Sequence, residues 1–335
     1  MRMLLTVILI AAAGWSGYWV LGSTGVKSGM GIWFEDRRDD GWVAEFTDLS
    51  VSGYPNRIDT TLTDVALADP DTGLAWNAPF FQIFALSYKP NHVIAVWPND
   101  QQLATPYDKF DITSTDMRAS LVLQPNTLLT LERSTLTAEN LVITPVGQNT
   151  PTKLTALTLA TDRVAVDDAP SYRFGIKADG FAPSLPWRAH LDPAGSLPET
   201  LDALSADLTV TFDKPWDRLA IEQARPQPTR IKVKLAQARW GQLELQAAGE
   251  LVVDASGQPD GSLTIKARNW RDILALAVKS GAVPEGLAGT LEDGLSLIAQ
   301  LAGNPNTLDI PLEFRGGYVR LGPVPIGPAP VLRLR

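Results

Sequence analysis

The chain opens on an apolar run. MLLTVILIAAAGWSGYWVL, Met3 to Leu21, carries no charge, and no charge appears between Arg2 and Lys27. As a helix this run spans about 28 Å, the thickness of a hydrocarbon core. It reads either as an uncleaved anchor or as a signal peptide cut near Ala11-Ala12-Ala13. A cut there leaves a short apolar core, whereas Trp15, Tyr18 and Trp19 fit an aromatic belt at a membrane interface, so the anchor is preferred. Arg2 and the amino group ahead of the run set the N-terminus in the cytoplasm by the positive-inside bias. A single-pass inner-membrane protein with its bulk in the periplasm is the expectation.

Beyond the anchor, GSTGVKSGMG is flexible by composition, and IWFEDRRDDGW predicts a short amphipathic helix from Trp33 that Gly41 stops. From Phe46 the period changes to two. Leu49 and Val51, then Ile58, Thr60 and Leu62, alternate with polar residues, as half-buried strands do. Asp69-Pro70-Asp71-Thr72-Gly73 is a turn by composition. Further strands are predicted at Phe80–Tyr88, His92–Trp97, Ala119–Gln124, Thr127–Glu132, Leu136–Thr144, Leu154–Thr161 and Tyr172–Lys177. Phe181–Glu199 holds four prolines and is the candidate boundary. It divides the chain into an anchor (1–26), an N-terminal β-rich half (27–180) and a C-terminal β-rich half (181–335). Leu197–Leu204 is expected to form a short helix.

The second half alternates more cleanly, at Leu208/Val210/Phe212 and Ile231/Val233/Leu235. Leu243, Leu245, Ala247, Leu251 and Val253 fall on one face against Glu244, Gln246 and Glu250 on the other, and Leu263, Ile265 and Ala267 return after a turn at Asp254–Gly257. This is an antiparallel meander with one apolar and one wet face. Helical spacing follows at Trp270, Ile273, Leu274, Ala277 and Val278, with Asn269 as N-cap and Gly281 as stop. A second helix is expected from Thr290, holding Leu291, Leu295, Ile298 and Leu301, with Gly303 and Pro305 ending it. A hairpin, Leu308–Arg315 and Tyr318–Leu321 around Gly316-Gly317, precedes an extended Pro-rich tail. The fold class is therefore mainly β: an N-terminal transmembrane helix, then large curved antiparallel sheets with a few short helices.

Composition removes chemistries. The 335 residues include no Cys and two His, which excludes thiolate metal sites, iron–sulfur clusters and Cys nucleophiles. The net charge of −8 disfavours a nucleic-acid partner. No nucleophile elbow, metal-binding helix motif, P-loop or dinucleotide fingerprint is present. His92 and His190 read as structural residues, and the Asp/Gly clusters at 69–73 and 254–261 as turns rather than calcium loops. Neither a catalytic residue nor a cofactor or metal is expected.

Ser52-Gly53-Tyr54-Pro55-Asn56-Arg57, Trp76-Asn77-Ala78-Pro79, Tyr88-Lys89-Pro90-Asn91 and Gly322-Pro323-Val324-Pro325 resemble, in that order, the domain-of-unknown-function family 2125, uncharacterised bacterial envelope proteins. More distantly, Leu243–Val253, Gly257–Gly261, Leu263–Ala267, Asn269-Trp270 and Leu308–Leu312 resemble AsmA-like envelope proteins. That second resemblance implies one anchor, a long curved sheet with an apolar groove, and phospholipid handling, though this chain is far shorter than the bridge-forming members. The candidate groove is Leu243, Leu245, Leu251, Val253, Leu263 and Ile265, and its candidate ligand is phospholipid. The alternative is a closed sandwich acting as a non-catalytic interaction module. An envelope hydrolase built around His92 or His190 is the third reading.

Overall fold

The computed structural model describes residues 1–335 except 194, 223–224, 282, 302–303, 323 and 335. The chain forms two compact units, residues 1–125 with 136–149, and residues 126–135 with 150–335. All strand pairing described below is antiparallel.

The first unit begins with α1 (Arg2–Asp39), one continuous helix long and apolar enough to cross a membrane. The expected flexible linker after Leu21 is helical instead. The glycines there weaken a free helix, but tertiary packing compensates. Gly22 lies where a Cβ would touch Ile58 at 3.4 Å, and Ser23 is buried. Further on, Phe34 is 2% exposed in a core of Ala44, Leu49, Leu62 and Val65. Gly41, at φ +86°, ends the helix as expected. Its N–H donates to Arg38 and that of Trp42 to Arg37, the paired bonds of a Schellman cap.

The strands of this unit are β1 (Val43–Glu45), β2 (Asp48–Ser52), β3 (Arg57–Asp69), β4 (Leu74–Leu86), β5 (Lys89–Val96), β6 (Asp100–Ala104), β7 (Lys109–Thr113), β8 (Asp116–Leu123) and the part of β9 (Leu131–Pro145) from residue 136 on. The β3–β4 hairpin is the spine, with Arg57 opposite Leu86 at one end and Asp69 opposite Leu74 at the other. β1 and β2 pair with β3, β5 and β6 with β4, β8 with β5, and β7 with β6 and β9. The strand expected at Thr127–Glu132 is mostly a turn. The Asn126 side-chain oxygen accepts from the N–H groups of Leu128 and Thr130, Leu129 stands at φ +52°, and β9 starts only at Leu131.

The second unit carries β10 (Thr152–Val166), β11 (Ala169–Asp179), α2 (Leu185–Leu191), β12 (Ala203–Phe212), α3 (Leu219–Glu222), β13 (Pro228–Trp240), β14 (Leu243–Val253), β15 (Pro259–Arg268), α4 (Trp270–Lys279), α5 (Glu285–Leu301), β16 (Thr307–Arg315), β17 (Tyr318–Leu321) and β18 (Val324–Pro328). Each strand from β10 to β18 pairs with the next. Residues 150–180 therefore belong with the C-terminal strands, and Phe181–Glu199 is a crossing within one sheet, because β11 pairs with β12 across it. The helix expected at Leu197–Leu204 lies instead at α2, where Pro186 suits the first turn. The Asp192 carboxylate then turns the chain, accepting from the Leu197 N–H at 2.7 Å and the Ser196 hydroxyl at 2.9 Å. Asn269 does precede α4, but its side chain donates to the Gln242 carbonyl rather than capping the helix. α5 starts at Glu285, five residues before Thr290, just after Pro284, whose carbonyl accepts from Leu287. Gly303, expected to end α5, lies outside the described residues. The hairpin turn at Gly316-Gly317 has φ of +60° and +78°, the conformation that a two-residue turn of this hand requires.

An open apolar face as the candidate functional site

Register in the second unit sorts side chains onto two faces. β15 shows it most clearly. Pro259, Gly261, Leu263, Ile265 and Ala267 are buried or half-buried, while Asp260, Ser262, Thr264, Lys266 and Arg268 are exposed. Following the cross-strand partners of Ile265 in both directions gives one row over seven strands: Leu159, Ile176, Ala206, Ala236, Ala247, Ile265 and Ile310. Six inter-strand steps make this row about 29 Å long. The row on one side includes Leu157, Ala178, Leu204, Ala238, Leu245, Ala267 and Leu308, and the row on the other includes Phe174, Leu208, Val233, Gly249, Leu263 and Leu312. These rows are apolar except for Thr161 of β10, opposite Phe174. At its centre stand small residues, Ala206, Ala236, Ala247 and Gly249, between larger Leu and Val side chains. Gly249, at φ +150°, is needed there, since a Cβ would run into the Ser262 carbonyl oxygen.

The two ends of the face are covered. At one end α4 and α5 lie over Ala267 and Leu308, joining Trp270, Leu295 and Ala299 in one buried cluster. The Trp270 indole N–H donates to the Pro305 carbonyl at 3.0 Å, and Trp187 of α2 stacks on Trp240 with ring centroids 6.3 Å apart. At the other end Leu251 and Phe314 pack with Ala329 of the tail, and Tyr172, Val210 and Phe212 pack under Trp216. Burial pushes the Tyr172 phenol up, and its oxygen accepts the Trp216 backbone N–H at 3.1 Å. Between these caps the face is open. Leu159, Ile176 and Leu245 stay 38%, 40% and 40% exposed. That exposure counts against a sheet closed over this face.

The opposite face is a lattice of charge. Arg173 of β11 grips Asp207 of β12 with two bonds, at 2.8 and 2.7 Å, and Lys234 of β13 reaches the same carboxylate at 3.1 Å. The Arg173 guanidinium, helped by Lys234, holds the Asp207 carboxyl down at about 2. Glu244 accepts from Gln237 and Gln246 at 3.0 and 2.8 Å and pairs with Arg268 at 3.7 Å. This face is polar and charged, and the apolar side chains lie on the other.

Of the six groove residues expected from sequence, Leu245 and Ile265 lie in the open part, and Leu263 is half-buried against the Leu251–Phe314–Ala329 cluster at its edge. Leu243, Leu251 and Val253 lie outside it. They are 8%, 5% and 5% exposed, covered toward the two ends of the face. Sequence reasoning missed Leu159, Ile176, Ala206, Ala236 and Ile310. Alternation within β10 and β11 marked Leu159 and Ile176 as facing one way, but only the pairing order joins them to Ile265. Trp15, Tyr18 and Trp19, expected at a membrane interface, sit where α1 meets the β3 end of the first unit. The two indoles donate to the carbonyls of Pro55 and Arg57 at 3.0 and 2.6 Å, and the phenol to that of Ser87 at 2.6 Å.

The remaining candidates are less telling. The His92 ring reaches the Ser120 hydroxyl at 2.9 Å, and the His190 ring the Ser280 carbonyl at 3.0 Å. In the first unit a cavity of about 650 Å³ is lined in part by Asp64, Asp100 and Asp111, but Asp64 accepts from Thr47 and Asp111 from Gln102. No group of three or more His, Asp or Glu that could hold a metal occurs among the described residues. The Asp254 loop is a turn closed on itself. The Asp254 carboxyl is held below its usual range first by the Ser256 hydroxyl, then by the N–H groups that follow.

Taken together, the fold and site define a β-rich protein that carries a long apolar N-terminal helix and a sheet with one face left partly uncovered. A family model described as an uncharacterised protein conserved in bacteria, domain-of-unknown-function family 2125, matches residues 19–330, and the chain belongs to that family. No curated protein and no solved structure matches it.

Proposed function

We propose that this protein is an inner-membrane-anchored, periplasmic lipid handler that holds or passes phospholipid through acyl-chain burial on the open face of its second unit. The observation that carries this reading is the exposed centre of an otherwise capped apolar face: Leu159, Ile176 and Leu245 around a floor of alanines. Monomeric soluble domains seldom leave such a surface uncovered. A row about 29 Å long, near the thickness of a whole hydrocarbon core, accommodates the chains of one leaflet. Each methylene transferred from water to this face contributes about 0.8 kcal/mol. The site needs no catalytic group, and the mechanism is passive: chains enter, cover the face, and leave at a membrane. The apolar run of α1 with Arg2 ahead of it supports a cytoplasmic N-terminus and periplasmic β units.

The test is transfer of a fluorescent phospholipid from donor vesicles that carry the full-length protein to protein-free acceptors. The protein is expected to raise the rate above the spontaneous one. Ile176→Asp combined with Leu245→Asp is expected to return it to background, with the circular dichroism unchanged. Thr264→Asp, on the exposed face of β15, keeps the full rate. Transfer by the folded double variant at the parent rate contradicts the reading.

A further inference from the structure

The same aromatic residues that suit a membrane interface are hydrogen-bonded to two turns at the end of the β3–β4 hairpin. Trp15 donates to the Pro55 carbonyl, Trp19 to that of Arg57 and Tyr18 to that of Ser87, while the Ser16 hydroxyl meets the Tyr54 hydroxyl at 2.8 Å. Trp19 also packs edge-on against the Tyr54 ring, 5.5 Å between centroids. Ser87 ties the two turns together. It is fully buried, its N–H donates to the Asn56 carbonyl at 2.9 Å, and its hydroxyl to that of Pro55 at 3.3 Å. The carbonyls of Pro55, Asn56, Arg57 and Ser87 thus each accept a bond, three of them from the helix.

The height of these contacts follows from helix geometry. With Arg2 at the near surface, Trp15 stands about 20 Å and Trp19 about 26 Å along α1, inside a hydrocarbon core about 30 Å thick. Tilt shortens these heights and sets the contacts deeper. Irregular backbone survives at such depth only when its polar groups are satisfied within the protein, which is the arrangement seen here. The exposed side chains of the turns combine rings with cations: Arg57, paired with Asp59, and Lys89 have stems long enough to carry their charges to the headgroups. Tyr54 and Tyr88 remain 57% and 63% exposed, and Leu86 36%. An apolar ring with a polar tip is the side chain that a bilayer interface selects.

We infer that the turns 53–57 and 86–89 are themselves membrane-embedded, seated in the outer part of the leaflet opposite Arg2 with Tyr54 and Tyr88 inserted among the lipids. The first unit then does not hang from a tether. Its sheet stands in the bilayer on a foot made of two turns and one helix. This rests on the membrane-spanning reading of α1, and the experiment separates the two.

The chain has no native cysteine, so single-cysteine variants of the full-length protein take a nitroxide at one place. Val7→Cys, Tyr54→Cys, Tyr88→Cys and Tyr107→Cys are reconstituted into phosphatidylethanolamine–phosphatidylglycerol vesicles, and collisions with oxygen and with a water-soluble nickel chelate are compared. Tyr107, 91% exposed, follows the end of β6 that pairs with Ala75 and so marks the far end of the hairpin. The expected result is lipid-like accessibility at 7, 54 and 88, and water-like accessibility at 107. Because Tyr54 bonds Ser16, Tyr88→Cys carries the test if Tyr54→Cys loosens its turn. Lipid at 7 with water at both 54 and 88 overturns the inference and leaves the anchor standing. Water at 7 overturns both.

Discussion

Asp207 shows how single residues assign the faces. It sits between Arg173 and Lys234 on the two neighbouring strands, and its carboxyl is held at about 2, below the usual value near 4. A depressed carboxylate contributes stability above its unfolded value and loses it as pH falls through the folded one. Asp207→Asn is therefore expected to lower the unfolding free energy at pH 7 by less than about 1 kcal/mol, the pair being partly solvated. Urea titrations should show that difference shrinking from pH 4 down to pH 2. A difference that stays flat or grows on acidification contradicts the assignment. The charges on this face were legible as alternation. Their partners were not, because Arg173 and Asp207 lie 34 positions apart and meet only through register.

At the scale of elements, the sequence marked what local chemistry dictates and missed what packing decides. Gly41, the Gly316-Gly317 turn and the stop at Gly281 needed only backbone conformation to be seen. The continuity of α1 through its glycines is a tertiary effect of Phe34 and Ser23 lying against the sheet, and the start of α5 moved because Pro284 outranks Thr290 as an opening signal. α4 and α5 cover one end of the apolar face through Trp270, which is 2% exposed. Trp270→Ala removes that wedge at an expected cost of about 3–5 kcal/mol. Hydrogen exchange should speed up across α4, α5 and β16, while β10–β12 keep their protection. Uniform acceleration over the whole sheet argues that these helices are integral to the fold rather than a cap on it.

For the whole molecule, the sequence conveyed one long apolar N-terminal segment and two β-rich regions, but placed the division at 181. Pairing between β11 and β12 carries the second unit back to residue 150, and no local signal in Phe181–Glu199 distinguishes a crossing within a sheet from a linker between domains. The open face was half legible for the same reason. β14 and β15 lie beside each other in sequence, whereas the route from Leu159 to Ile310 exists only once seven strands are in register.

The central claim is that lipid, not protein or water, occupies that face, and photocrosslinking in living cells tests it directly. A benzophenone amino acid placed at Leu245 or Ile176 of the full-length protein should yield phospholipid adducts on the peptides carrying those positions, and none when placed at Thr264. Adducts to another polypeptide at 245 and 176, or equal lipid labelling at 264, contradict the account.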